Sequence, residues 1–308
     1  MNKSQWIKVF QNIEFWRDSI VESFNKLNIN VTEIENTIPG THAVFKVNKK
    51  YIIKIYWPKF EKDYFVENEI LNILGNKRIP KKLYSGKTLV KNNEYNVLIE
   101  TFIEGTPVKY YYENNKNIMN NNILKDLAST VKYIHNTDYS KLNSISIDNW
   151  KEFYINRKEE VFEQLDKYNF LSDNLKLYLK RKFEKLEFHE FKLINADLTE
   201  DHILIDLDDK EYRFKGLIDL ADSKVAPIEY EWIALYYSGF NKNMKLFKEF
   251  LKYYDSSIEI NSEFFDNLLN FTFLHQFGHE IIMDLFKDIS FVFNTPNDLK
   301  DFLFHNYN

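Results

Sequence analysis

Leu193-Ile194-Asn195-Ala196-Asp197-Leu198-Thr199-Glu200-Asp201-His202-Ile203-Leu204-Ile205-Asp206 is the stretch on which the reading of this chain turns. Its ends are apolar and its middle is polar. It therefore reads as a buried strand that delivers Asp197 into a loop, followed by a second strand that begins at His202. Fifteen residues beyond His202 comes Leu217-Ile218-Asp219-Leu220-Ala221-Asp222, again an apolar strand ending on a carboxylate. Two carboxylates and an imidazole carried by neighbouring strand ends can converge on one point. Phosphoryl transfer uses such a set: one Asp orients an attacking hydroxyl and accepts its proton, while another Asp and a further ligand hold the metal that bridges nucleotide phosphates. By itself the pattern also has an ordinary explanation, because acidic residues are common at strand ends.

The sequence before this stretch changes character twice. Trp6 to Lys26 has apolar residues at helical spacing (Trp6, Phe10, Ile13, Ile20, Phe24) and is predicted to be one amphipathic helix. Residues 31–38, 42–47 and 51–57 are short and rich in β-branched and aromatic residues, with Pro39-Gly40 and Asn48-Lys49-Lys50 as turns. A helix follows over 59–74, then strands over 82–86 and 95–103. This order describes a small antiparallel sheet with one helix across it. After Glu104-Gly105-Thr106-Pro107 the chain is mainly helical, at 118–136, 150–168, 173–188, 229–238, 244–254, 263–286 and 298–304, interrupted by one β patch over 191–220. The expectation is an α+β fold, with a β-rich N-terminal lobe over 1–103 and a helical lobe over 104–308.

Within the first lobe, Lys54 sits in the apolar strand Tyr51-Ile52-Ile53-Lys54-Ile55-Tyr56. An unpaired ammonium is costly there, so it needs a counter-charge or a phosphate. Glu69, on the predicted helix, stands at the spacing of a kinase-type Lys–Glu pair, with Glu67 as the alternative on the neighbouring helix face. A lysine at a sheet edge can also reach water along its own stem.

Several ordered motifs resemble those of the aminoglycoside phosphotransferase family. Residues Asn195 to Leu204 (NADLTEDHIL) are similar to its catalytic loop, H-x-D-x-x-x-x-N, and closest to the hygromycin-B-kinase-like branch. Phe214 to Ser223 looks like its G-x-I-D-F-G-D-A segment, Pro227-Ile228-Glu229-Tyr230-Glu231-Trp232 its D-P-x-Y-E/D stretch, and Leu274-His275-Gln276-Phe277-Gly278 its L-H-x-F-G helix. The resemblance implies a protein-kinase-like two-lobed fold. It implies Asp197 as the catalytic Asp, and His202 and Asp219 as ligands of Mg²⁺ carrying ATP or GTP. It implies Lys54 with Glu69 on the phosphates, Thr41 and His42 in the loop over them, and the backbone of Glu100 and Phe102 on the base, with Ile99 behind it. Glu200, Asp222, Glu229, Glu231 and His275 fall where a cationic acceptor is expected. Two departures stand out: Asn195 replaces the usual His, and Leu220-Ala221 replaces Phe-Gly. His202 is also a nitrogen donor, whereas Mg²⁺ prefers oxygen.

The implied activity is transfer of a nucleotide γ-phosphate to a hydroxyl of an aminoglycoside, hygromycin-like, with resistance as the outcome. Kinases of other small metabolites share the fold, and a nucleotide-binding protein without transfer activity is the rival from another class. His135 reads as a packed or capping residue. His275 and His279, one helical turn apart, have no third ligand at zinc spacing.

Bulk properties exclude several classes. The 308 residues include no cysteine, which removes disulfides, thiol catalysis and thiolate metal sites. A net charge of −5 gives no basic footprint for nucleic acid. No apolar run reaches membrane-spanning length, and the N-terminus has no signal-peptide core, so a cytoplasmic protein with no membrane partner is expected.

Overall fold

The computed structural model describes residues 1–112, 118–208 and 210–304. All the site residues named above lie among them. The chain forms two compact units. One is Met1–Gly105 with Leu142–Ser144 and Lys215–Ser223, and the other is Thr106–Lys141, Ile145–Phe214 and Lys224–Asn308. The linear division into 1–103 and 104–308 does not describe these units, because 142–144 and 215–223 return to the first. Packing, not chain order, decides membership, and the first unit thereby acquires Asp219.

The first unit contains two short helices, α1 (Lys3–Val9) and α2 (Ile13–Asn25), where one helix was predicted. Asn12 divides them: its side chain accepts from the backbone N–H of Phe15 and caps α2. The strands β1 (Ile34–Asn36), β2 (Ala43–Val47), β3 (Tyr51–Ile55), β4 (Lys82–Val90) and β5 (Asn93–Thr101) form an antiparallel sheet in the order β1-β2-β3-β5-β4, and α3 spans Glu61–Ile73.

Alternation along the strands sorts the sheet into two faces. Ile53, Ile55, Val97 and Ile99 face an apolar cluster with Trp6, Trp16, Ile20 and Phe24 of α1 and α2. Trp6 stacks on Trp57 with ring centroids 5.7 Å apart, and Trp16 meets Tyr95 edge-on at 5.1 Å. The same alternation turns Ile52, Lys54, Leu98 and Glu100 to the opposite face. Gly216 lets the Lys215–Ser223 segment lie close: a Cβ there would sit 2.5 Å from the Arg78 carbonyl oxygen, and Leu217 N–H donates to that oxygen at 2.9 Å.

The second unit contains β6 (Thr106–Pro107), α4 (Lys109–Tyr112), α5 (Asn121–His135), α6 (Ile147–Lys167) and α7 (Asp173–Glu184). Next come β7 (Lys192–Ile194), β8 (Ile203–Asp208), β9 (Glu211–Leu217, whose last residues belong to the first unit) and β10 (Lys224–Ala226). The helices α8 (Ile228–Ala234), α9 (Met244–Tyr254), α10 (Ser262–Leu274), α11 (Gly278–Phe286) and α12 (Pro296–Phe304) complete it. The β patch resolves into two small sheets, β6-β8-β9 and β10-β7.

α8 continues into one π-helical turn at Leu235–Gly239. The single helix predicted over 263–286 is two, because His275 leaves the helical region (φ −58°, ψ 144°) and ends α10. Gly278 then starts α11 against the C-terminal carbonyls of α10, where a Cβ would lie 2.3 Å from Thr272 O. Among the described residues no helix is long and apolar enough to cross a membrane.

Candidate active site

Within the first unit, Lys54 is buried on β3 and its Nζ donates to Glu67 Oε1 of α3 at 2.6 Å. Glu67 is therefore the partner of Lys54. The expected partner, Glu69, instead accepts from the Ser144 hydroxyl (2.7 Å) and from the backbone N–H groups of Asn143 and Ser144 (2.9 Å each). Two residues along a helix is a rotation of roughly 200°, so the two carboxylates point to nearly opposite sides. Glu67 also accepts from Tyr56 Oη at 2.5 Å and from Leu220 N–H at 3.2 Å. Asp219 lies 3.3 Å from the same Nζ, brought from 165 residues away. Burial works against the charge on Lys54, but the carboxylates of Asp219, Glu67 and Glu100 more than offset it and hold its pKa above the usual value. Asp219 adopts φ 60°, the left-handed region, just after β9 ends. Tyr56 escaped the sequence reading, although the period of two that places Lys54 places it two residues on, on the same face.

The other residues expected to bind nucleotide behave differently. His42 is buried. Its Nε2 lies 3.0 Å from Asp63 Oδ2, and its Nδ1 accepts from Trp57 N–H at 3.2 Å, so the imidazole fastens the hairpin to the start of α3. Thr41 is exposed, and its carbonyl accepts from Trp6 Nε1 at 3.0 Å. Phe102 N–H donates to Lys50 O at 2.8 Å, which uses that donor within the sheet, and Glu100 stands in register with Ile52 on one side and Lys82 on the other. The residues that follow are Ile103 and Glu104. Ile99 faces the apolar cluster, not the Lys54 side. The Glu100 side chain is what reaches that side. It is 3% exposed, and burial, with Glu67 and Asp219 adding to it against the pull of Lys54, pushes its carboxyl up to about 8.

Within the second unit, residues 195–202 form the loop between β7 and β8, the strand–loop–strand order expected from the sequence. Asn195 is fully buried and its Oδ1 accepts from Asp197 N–H at 3.1 Å, so the departure from the usual His is a scaffold contact. Ala196 sits at φ 66°. His202 Nδ1 is 2.8 Å from the Asp197 carbonyl and 3.3 Å from Asp197 Oδ2, which ties the end of the loop to its start.

Glu231, expected to touch the acceptor, does not. It is 1% exposed, and its carboxylate accepts from the N–H groups of Asn195 (2.7 Å) and Ala196 (3.2 Å) and meets His135 Nε2 at 2.5 Å. The acceptor role fails because α8 presents Glu231 to the inside of the unit.

A cavity of about 220 Å³ adjoins Asp197. Its walls come from the π turn, the α10–α11 break and α11, and include Tyr237, Lys242, His275, Phe277 and Asp284. Of the five acceptor candidates only His275 lines it. That ring stacks on Tyr230 at 4.6 Å, and burial, helped by Lys224 and Arg157, lowers its pKa to about 3, so it is neutral. Glu200 is partly buried, and burial with neighbouring Asp201 raises its pKa. Burial raises Glu229 likewise, and Asp222 is exposed in the first unit. Phe277 belongs to the L-H-x-F-G-like stretch, but Tyr237, Lys242 and Asp284 had no signal in the sequence, since nothing marks which helix faces close a cavity. His279 belongs to α11, where Tyr168 Oη is 2.8 Å from its Nδ1. Among the described residues no three His, Asp or Glu side chains gather closely enough to hold a metal by themselves.

Known proteins share the family and the fold of this chain. The phosphotransferase enzyme family (APH) matches residues 38–262, well over half the chain. The GDP complex of aminoglycoside 2'-phosphotransferase-IIIa superposes with a TM-score of 0.66 at 16% identity, covering 95% of this chain and 97% of that one. The streptomycin–ATP ternary complex of APH(2'')-IIa gives 0.58 at 19% identity over 85% and 89%. Spectinomycin phosphotransferase in complex with ADP and its antibiotic gives 0.53 at 12% identity over 94% and 97%. The fold is the α+β, protein-kinase-like fold of these phosphotransferases. The chain belongs to the phosphotransferase enzyme family, and it is an enzyme of that class.

Proposed function

We propose that this enzyme transfers the γ-phosphoryl group of ATP or GTP to a hydroxyl of a small aminated sugar of the aminoglycoside kind, with hygromycin B as the first candidate and resistance as the biological result. The observation that carries the reading is the pairing of two features. A buried lysine is held between Glu67 and Asp219, and the loop carboxylate Asp197 opens on a cavity lined by a second acid, Asp284, and two aromatic rings. Lys54 would grip the phosphates, with Glu67 fixing its direction. Asp197 would orient the acceptor hydroxyl and take its proton as the new P–O bond forms and the bond to the nucleoside diphosphate breaks.

Asp219, 44% exposed at its side chain and an oxygen donor, suits Mg²⁺. His202 has Nδ1 engaged by Asp197 and offers nitrogen rather than oxygen, a donor type that suits Mn²⁺ better than Mg²⁺. Such an ion, when bound, neutralises charge on the nucleotide phosphates. The nucleotides bound in the related structures, GDP, ATP and ADP, support nucleotide as the donor.

A second reading has its own observation. Ala234, Tyr237, Phe277, Ile281 and Leu285 give the cavity a largely apolar wall, with Asp197, Asp284 and Lys242 as its charged groups. An alcohol with one amine or none fits that wall better than a polyamine. Nucleoside diphosphate release, measured with Mg²⁺-ATP and Mg²⁺-GTP against hygromycin B, kanamycin, choline, homoserine and methylthioribose, separates the two. Release that depends on an aminoglycoside and vanishes in Asp197→Ala is expected under the first. Release with a metabolite alcohol alone supports the second, and release unchanged in Asp197→Ala would remove Asp197 from the chemistry.

A further inference from the structure

A buried chain of contacts runs behind Asp197. Tyr254 of α9 places its hydroxyl 2.8 Å from His135 Nδ1, and His135 Nε2 lies 2.5 Å from Glu231 Oε2. The other carboxylate oxygen of Glu231 accepts from Asn195 N–H and Ala196 N–H. His135 and Glu231 have side-chain exposures of 0% and 1%, so water does not share these bonds. Three helices (α5, α8 and α9) thus converge on two backbone N–H groups of one loop. The loop requires the support. Ala196 is held at φ 66°, which L residues other than Asn and Asp rarely adopt, and Asn195 turns back to receive Asp197 N–H.

We infer that His135 is a positioning residue for phosphoryl transfer: through Glu231 it fixes the backbone of Asn195 and Ala196, and so the carboxylate of Asp197. This rests on the reading of Asp197 given above. A carboxylate has two oxygens to satisfy when buried, and the Nε2–H of His135 satisfies the one the loop does not use. Without that donor Glu231 must rotate toward another partner or take up a proton. Either change weakens its hold on the two N–H groups, because a charged acceptor binds them more strongly than a neutral one. The loop then relaxes away from the left-handed turn at Ala196, and Asp197 moves with it. The contacts named here join residues of the second compact unit, whereas Lys54, Glu67 and Asp219 belong to the first. Loss of the His135 contact is therefore expected to act on turnover more than on nucleotide affinity.

The test compares His135→Leu, which removes both ring nitrogens, with His135→Gln, whose amide nitrogen stands near the place of Nε2 and still donates to Glu231. Nucleoside diphosphate release is followed with Mg²⁺-ATP and Mg²⁺-GTP, using hygromycin B, kanamycin and water as acceptors. Amide exchange of the peptide covering residues 193–200 is measured in parallel by mass spectrometry. His135→Leu is expected to lower kcat by about 30- to 100-fold while nucleotide KM stays within about twofold, the pattern of a misplaced catalytic group. His135→Gln is expected to recover kcat to within about fivefold of the original. Loop amides are expected to exchange at least about tenfold faster in His135→Leu only, with exchange in α6 and α10 unchanged.

A folded His135→Leu protein with normal kcat, or with unaltered loop exchange, overturns the inference. Asp197→Asn serves as the control on the underlying reading. If it keeps full transfer, Asp197 is not the reacting carboxylate. If it abolishes transfer while His135→Leu does not reduce it, only the positioning role falls. Should no acceptor give measurable release, the exchange comparison decides by itself.

Discussion

Glu67 and Glu69 stand two residues apart on α3, yet removing their carboxylates should have very different costs. Glu67→Ala takes one partner from a buried ion pair, a change that costs about 3–5 kcal/mol in comparable cases. Lys54 keeps Asp219 at 3.3 Å as a second counter-charge, which places the expected loss at the lower end, about 3 kcal/mol. Tyr56 Oη and Leu220 N–H lose their acceptor in the same substitution, and both are buried. Glu69→Ala removes contacts to Asn143 and Ser144 from a partly exposed position, where water can replace the lost bonds, so about 1 kcal/mol is expected. For a chain of this size each kcal/mol moves the unfolding midpoint by about 2 °C, which gives a fall of about 6 °C against about 2 °C. Scanning calorimetry of the two variants measures both. Glu67→Leu combined with Lys54→Met replaces the pair with apolar groups and should recover most of the loss, because desolvation of the charges is removed with them. A larger loss in Glu69→Ala than in Glu67→Ala would refute the assignment of Glu67 as the partner.

Two further outcomes are expected. The folded Glu100 carboxyl, raised to about 8 from 4.5, holds a proton that the unfolded chain has released between those values, so it makes stability fall as pH rises through that window. Folded His275, lowered to about 3 from 6.5, does the reverse: its contribution is complete above 6.5 and is lost as pH falls toward 3. The two slopes oppose each other between 4.5 and 6.5. Midpoints recorded from pH 4 to 9 should therefore flatten above 6.5 in Glu100→Gln and below 4.5 in His275→Gln, and curves parallel to the original would contradict both shifts. Gly278→Ala brings a Cβ to within 2.3 Å of Thr272 O. It should cost about 1–3 kcal/mol by calorimetry and raise acceptor KM, since the α10–α11 break carries the cavity wall. An unchanged midpoint would show that the break yields easily.

The sequence by itself determined most of the element types and the loop between β7 and β8. Apolar spacing separated the sheet from the helices, and an acid at the end of each apolar run located Asp197 and Asp219, because periodicity and chain punctuation are local properties. It also determined that Lys54 needs a counter-charge. Which carboxylate answers it was decided only in three dimensions, since Glu67 and Glu69 differ in helix phase and not in type. The same limit applies to Glu231. Its place in the motif suggested substrate, while its burial against Asn195, Ala196 and His135 makes it part of the frame behind the loop. The cavity beyond Asp197 was equally hidden, because its walls join the turn after α8, with Tyr237, to α11, with Phe277 at its N-cap and Asp284 along it, and no local pattern links the two. Local interactions are written along the chain. Partners brought together from 36 and 165 residues apart, as Asn195 and Glu231 or Lys54 and Asp219 are, are chosen by packing.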